Sequence, residues 1–344
     1  MKRYLVGLAF AVAVGGLTLG ALGGGAPAGG TRGGAGAGGM PGGAAPGGMG
    51  GAPGGMGGMP GGMGGMSGGM GMGRGAPAGP PAPVPPEVAI PRPTADELAK
   101  INADLKRFIE ADKSADSALL KKYADLITVP MPRANSAIAP VQTQVRTTQR
   151  HDGFVNTAKT GDFDILFEGD SITDFWQQAG AEPFKKFFSD AKVANFAVSG
   201  DTTQGVLWGL QNGEGQGHKP KAVMLMIGTN NNTQGATAPE IAEGVGADVY
   251  ELRKDFPDAK IMLLAIFPRG AGPTDSQRLK NDEANKIIAR LDDGKHVFFK
   301  NINDKFLDPQ GKLIGFSNDM VHPAAAGYEI WGAAVADTLK GWAK

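Results

Sequence analysis

Cysteine is missing from all 344 residues. Disulfides, thiolate metal sites and a cysteine nucleophile are thereby excluded. The absence leaves the compartment open, because a domain with a full-sized core holds together without disulfides. Net charge is missing too, with 34 basic side chains balancing 34 acidic ones. A dedicated nucleic-acid binder shows a basic excess or stripe, so no nucleic-acid partner is expected. Histidine is scarce, at four in the whole chain, so each can be weighed separately as a base. H-E-x-x-H does not occur, which removes that zinc motif, and the one G-x-S-x-G match, Gly65–Gly69 in the Gly/Met stretch, follows no apolar strand run, so the nucleophile elbow of α/β-hydrolases does not apply. No cofactor and no metal are expected.

Glycine and proline are abundant instead, and most of the 56 Gly and 24 Pro crowd into the first hundred residues. Lys2 and Arg3 precede an apolar run from Tyr4 to about Leu22, and Ala26-Pro27-Ala28 offers a small-x-small cleavage site. This pattern predicts a signal peptide over 1–28 and export to the cell envelope or medium, the alternative being an uncleaved anchor. Residues 29–93 are Gly, Met and Pro rich, with little apolar surface to bury, and are expected to be disordered. Eight of the 14 Met fall between Met40 and Met72. Thioethers are soft ligands that suit copper(I), but a low-complexity spacer explains the segment more simply.

The texture changes at Thr94. Thr94-Ala95-Asp96-Glu97 fits a helix capping box, and Leu98, Ile101, Leu105, Phe108 and Ile109 recur at helical spacing. A second helical stretch around Leu119–Ile127 ends before Pro130 and Pro132, giving a short helical hairpin over 94–132. Residues 133–149 read as a linker, and 150–344 as one domain. In that domain β-rich apolar runs appear at 164–167, 193–198, 222–227, 261–267 and 297–302. Helical patterns at 175–188, 202–210, 239–255, 275–291 and 324–342 follow them in turn. Such alternation predicts a three-layer α/β sandwich around a five-stranded parallel sheet, in the flavodoxin-like order 2-1-3-4-5.

Functional loops of such a sheet lie at the carboxyl ends of its strands. The first strand runs into Gly169-Asp170-Ser171, the second into Ser199-Gly200-Asp201, and the third into Gly228-Thr229-Asn230; Asp319-Met320-Val321-His322 precedes the last helix. A serine hydroxyl needs a base to become a nucleophile. His151, His218 and His296 lie away from this edge, which leaves His322, with Asp319 three residues earlier to hold the imidazole. The Ser171 N–H, the Gly200 N–H and the Asn230 side-chain amide are candidate oxyanion donors. Asp170 adjoins Ser171 and reads as turn support, and Asp201 reads as a helix N-cap. Trp176 and Trp208 are either core or lining of the acyl site. Gly213–Gly217 stands between a helix and a strand, which makes it a surface loop and not a phosphate cradle.

With these residues in view the chain resembles the GDSL, or SGNH, hydrolases, whose Ser, Gly, Asn and His blocks match Ser171, Gly200, Asn230 and His322. ILFEGDSIT, NFAVSGDTTQGVLWGLQNGE, LMIGTNN and AIFPRG are similar to the platelet-activating-factor acetylhydrolase catalytic subunits and their bacterial relatives. The resemblance covers about Arg150 to the C-terminus. It implies a serine esterase with Ser171, Asp319 and His322 as triad, Ser171, Gly200 and Asn230 as oxyanion hole, and short acyl groups, especially acetyl, as substrate. The leader and Gly/Met stretch depart from the intracellular animal enzymes and favour an exported bacterial esterase. Its partner is then a small ester, either an acetylated carbohydrate or a lipid, with sugar O-acetyl esters ahead of lysophospholipase or phospholipid acetylhydrolase activity. A surface carbohydrate- or envelope-binding protein with a vestigial site is the reading from another class. Tethering to the envelope through the N-terminal region is compatible with catalysis, and the oligomeric state is left open.

Overall fold

The computed structural model describes residues 78–344. The expected signal peptide, and the Gly/Met stretch up to residue 77, lie outside the described residues. Helix α1 (Ala95–Ala111) starts at Thr94, whose hydroxyl accepts from the Glu97 amide while the Glu97 carboxylate caps Thr94 in return. After α2 (Ser117–Lys122) the chain returns along α1. There Asn102 donates to the Val129 carbonyl at 3.1 Å and accepts from its amide at 2.6 Å.

Two expectations upstream of the sheet need correction. Residues 78–93, expected to be disordered, lie against helix α8 (Ala238–Asp255). Val88 is buried where Gly246 leaves room, and Arg92 forks onto the Glu243 carboxylate at 2.6 Å. Five prolines between 80 and 86 lower the entropy lost on ordering, and small residues on α8 let the strand-like segment approach. Residues 133–149, expected as a linker, are built into the domain. Asn135, Ala137 and Ile138 are buried, and Arg146 is wholly enclosed. The composition of 133–149 hid this, because only Ala137, Ile138 and Pro140 supply buried apolar surface there, and the ion network around Arg146 and the Arg133–Glu240 pair do much of the holding.

The sheet consists of β1 (Ile165–Gly169), β2 (Val193–Asn195), β3 (Ala222–Met226), β4 (Lys260–Leu264) and β5 (Val297–Lys300), all parallel, in the order β2-β1-β3-β4-β5. This is the flavodoxin-like order. Side chains alternate across it. Leu166, Val223, Leu225, Ile261 and Leu263 face a core shared with α6 (Thr203–Gly209), α8 and α9 (Ser276–Ile288). Ile165, Phe167, Met224, Met226 and Leu264 face a second core with α5 (Ala181–Phe188) and α10 (Ala325–Ala343). The two cores make three layers, as a parallel sheet buried on both faces requires. Helix α3 (Thr148–Thr160) precedes β1, while α4 (Ser171–Asp174) and α7 (Thr229–Thr233) are single turns at the strand ends.

The helix expected over 175–188 is broken. α4 gives way to a 3-10 turn at Phe175–Gln177, and α5 begins only at Ala181. Gly180 sits against the Tyr328 ring and the Trp176 backbone, so the chain passes where a side chain would collide. The second, fourth and fifth strands end two to three residues earlier than their apolar runs. Phe196 still donates to the Phe167 carbonyl at 2.9 Å, but Ala197 and Ile266 turn their amides to side chains of Asn195 and Asn285, and all are buried beyond the strand ends together with Phe267.

Candidate active site

Three carboxyl-end loops and the segment before α10 meet above β1 and β3. Gly169 closes β1 where a Cβ would meet the Met226 carbonyl and Thr173, so the turn into α4 tolerates no side chain there. Asp170 then caps α4, its carboxylate accepting from the Ile172 amide at 3.0 Å. That is the turn-supporting role expected of it. Burial pushes the Asp170 carboxyl up to about 7. Ser171 follows as the first residue of α4, and its Oγ lies 2.8 Å from His322 Nε2. The other imidazole nitrogen, Nδ1, is 2.7 Å from Asp319 Oδ2. Three residues separated by up to 151 positions thus stand in one line.

The loop bearing Asp319 and His322 is tightly tied. Asp319 Oδ1 accepts from the Ser317 hydroxyl at 2.7 Å, the Val321 amide at 2.9 Å and the His322 amide at 3.0 Å. Burial opposes its charge, but the His322 amide and imidazole, the Val321 amide and the Ser317 hydroxyl outweigh it and hold Asp319 well below the usual carboxylate range. Met320 at the tip has φ +57, the left-handed region that non-glycine residues avoid. Its carbonyl accepts from the Gly270 amide at 2.9 Å. One residue earlier, Arg269 donates to the Thr229 hydroxyl at 2.9 Å and the Thr233 hydroxyl at 3.0 Å, pinning α7. The Pro-Arg-Gly segment after β4 therefore braces two of the site loops at once. Phe175 packs on the imidazole with ring centroids 5.1 Å apart, and Tyr328 of α10 donates to the Ile172 carbonyl at 2.6 Å.

Gly200 and Asn230 are brought to the same edge. Gly200 has φ +82, a conformation suited to glycine, and Asn230 donates to the Asp201 carbonyl at 2.8 Å. Asp201 does not cap α6 with its side chain as expected. It is fully buried, accepting from Arg146 Nε at 2.8 Å and the Thr143 hydroxyl at 2.8 Å. Arg146 reaches Glu168 and Glu214 as well. Burial opposes the Arg146 charge, and the three carboxylates outweigh it and push its pKa up. Glu214 belongs to the loop expected at the surface; it turns inward instead, and its second oxygen lies 2.7 Å from His151 Nδ1. His151 is therefore a partner of this network, and His218 lies against the Phe163 carbonyl. Trp176 is buried in the core between Phe188, Tyr328 and Trp331, while Trp208 packs at a tilt against His151. Sequence reasoning missed Arg146, Phe175, Arg269 and Tyr328. Of these, only Arg269 carried a signal, inside the AIFPRG motif.

The profile of the GDSL-like lipase/acylhydrolase family matches residues 167–330. The platelet-activating factor acetylhydrolase IB subunit alpha2 of Rattus norvegicus is 34% identical over 194 residues, spanning 56% of this chain and 82% of that protein. Its counterpart from Gallus gallus is 36% identical over 174 residues, spanning 50% of this chain and 74% of the relative. Among solved structures, a putative platelet activating factor from Streptococcus pneumonia aligns with a TM-score of 0.48 at 23% identity, covering 56% of this chain and 91% of that one. The family profile and the curated relatives define the class as a carboxylic ester hydrolase. The chain belongs to the GDSL-like lipase/acylhydrolase family.

Proposed function

We propose that the chain is an exported serine esterase that hydrolyses short-chain esters, acetyl above all. The observation that carries the reading is the unbroken line from Ser171 Oγ through His322, 2.8 Å away, to Asp319, 2.7 Å from the other ring nitrogen. His322 Nε2 takes the Ser171 proton as Oγ attacks the carbonyl carbon. Charge builds on the former carbonyl oxygen, where Ser171 N–H, Gly200 N–H and the Asn230 amide are the donors. An amide NH2 has two donor hydrogens; one binds the Asp201 carbonyl and the other is left for the oxyanion. As the intermediate collapses, His322 protonates the leaving alcohol, and the acyl group stays on Ser171. His322 then takes a proton from water as its oxygen attacks the acyl-enzyme, and returns that proton to Ser171 Oγ as the acid leaves. Asp319 stays ionised throughout, fixing the tautomer and stabilising the imidazolium.

The acetyl preference rests on the names of the acetylhydrolase relatives, and export rests on the pattern of residues 1–28. Sugar O-acetyl esters suit an exported enzyme, and a phospholipid acetyl ester of the kind the relatives are named for is the second substrate to test. The experiment is hydrolysis of p-nitrophenyl acetate, butyrate and octanoate by the full chain, with Ser171→Ala alongside. Acetate should turn over fastest, and Ser171→Ala should lose the activity. Equal rates in Ser171→Ala would remove the nucleophile assignment, and a preference for octanoate would remove the acetyl reading. N-terminal sequencing of protein recovered outside the cytoplasm tests export, a start near residue 29 being expected.

A further inference from the structure

The backbone donors of the proposed oxyanion hole come from two separate places, the first residue of α4 and the loop after β2. Something must set the distance between Ser171 N–H and Gly200 N–H. α4 is one turn long and ends on Asp174, whose carboxylate is nearly buried. Its Oδ2 accepts from the Ser199 hydroxyl at 2.7 Å and from the Ser199 amide at 3.1 Å. Ser199 immediately precedes Gly200. The other carboxylate oxygen, Asp174 Oδ1, accepts from Arg150 at 2.6 Å, and the same guanidinium nitrogen donates to the Ala197 carbonyl at 2.8 Å. A further tie crosses nearby, from the Asn195 side-chain amide to the Thr173 carbonyl at 3.0 Å. On the far side of Gly200, Asp201 is clasped by Arg146.

We propose that Asp174 is a positioning residue for hydrolysis, fixing the Gly200 donor relative to Ser171 by holding Ser199. The inference rests on the nucleophile and oxyanion assignments above. Bonds from amide and hydroxyl to a carboxylate are charge-assisted, and here both belong to the residue that carries Gly200. With them gone, Gly200 keeps its chain neighbours but loses its tie to α4. An oxyanion donor displaced by a fraction of an ångström still permits substrate binding and stabilises the transition state less. The loss therefore falls on kcat. An Arg150–Asp174 pair serving stability alone would instead lower the melting temperature and leave kcat per active site unchanged.

Asp174→Ala, Asp174→Asn and Ser199→Ala of the full chain are compared with wild type and Ser171→Ala. Active sites are counted by exhaustive fluorophosphonate labelling, and p-nitrophenyl acetate is the substrate. A trifluoromethyl ketone, which forms a tetrahedral adduct on serine, reports the oxyanion hole directly. Asp174→Ala should lower kcat per site by about tenfold to a hundredfold, with KM within about twofold and ketone affinity falling in parallel with kcat. Asp174→Asn and Ser199→Ala should lower kcat by about threefold to tenfold, since each keeps part of the contact. These two decide the matter should Asp174→Ala not fold. Full kcat per site in all variants that fold, or weaker substrate binding with unmoved ketone affinity, overturns the positioning role while loss in Ser171→Ala upholds the nucleophile. Undiminished turnover in Ser171→Ala overturns both.

Discussion

Asp319→Asn tests how the carboxylate governs the imidazole. In the native arrangement Asp319 Oδ1 takes the Val321 amide at 2.9 Å and the His322 amide at 3.0 Å, and Oδ2 faces His322 Nδ1 at 2.7 Å. An asparagine at 319 has two choices. With its oxygen toward the two amides, its NH2 faces Nδ1 and donates to it. The ring proton then moves to Nε2, which can no longer accept from Ser171. With the amide reversed the ring keeps its productive tautomer, but the NH2 group points at two N–H donors. Ser317 does not decide between them, because its hydroxyl can either donate or accept. Reversal breaks two amide hydrogen bonds and leaves both N–H donors facing an NH2 group, about 1–3 kcal/mol each, or roughly 2–6 kcal/mol in total. At about 1.36 kcal/mol per tenfold, the productive form is depleted about thirtyfold to ten-thousandfold. Asp319 is half-exposed, so the fold should survive the change. The assay is kcat for p-nitrophenyl acetate near neutral pH in Asp319→Asn and Asp319→Ala, per labelled active site. The Asn variant should fall by that factor and be no better than Ala, although it is the closer isostere. Activity within about tenfold of wild type would refute the tautomer reasoning.

Asn230→Ala removes a proposed oxyanion donor and should lower kcat by about a hundredfold or more, checked on the same ester; near-normal turnover would remove Asn230 from the oxyanion hole. Asp170 is pushed up to about 7 by burial, so its contribution to stability is fully present below its unfolded value of about 3.9 and is lost as pH rises through about 7. Urea unfolding of Asp170→Asn should therefore gain on wild type between pH 4 and pH 7, and parallel stability curves would count against a raised pKa. Arg146→Met leaves Glu168, Asp201 and Glu214 without their cation and should cost about 3–5 kcal/mol in urea unfolding near neutral pH. The loss should be smaller at pH 5, where burial favours protonating the stranded carboxylates, and an undiminished loss there would contradict that picture.

The amino-acid sequence by itself determined the sheet and its order, because apolar β-rich runs alternate with helical periods and right-handed crossovers leave few ways to connect them. It also determined which side chains to watch. Ser171, Gly200, Asn230, Asp319 and His322 all sit where a strand run stops or the last helix begins, and there the residue type alone signals chemistry. Tertiary structure decided what braces them. Arg146 lies in a stretch with no apolar period, and its three partners come from β1, the loop after β2 and the turn beyond α6. Such a network follows distance in space, which local periodicity does not encode. The same holds for Glu214, whose glycine-rich surroundings read as surface while an arginine 68 positions away draws it inward. It holds too for Trp176, even on its own terms as core or lining until the aromatic ring of neighbours closed around it. Local pattern reports the faces of single elements. Which charged group meets which across the molecule is settled only when those elements pack, since burying a charge is tolerable only beside its counter-charge.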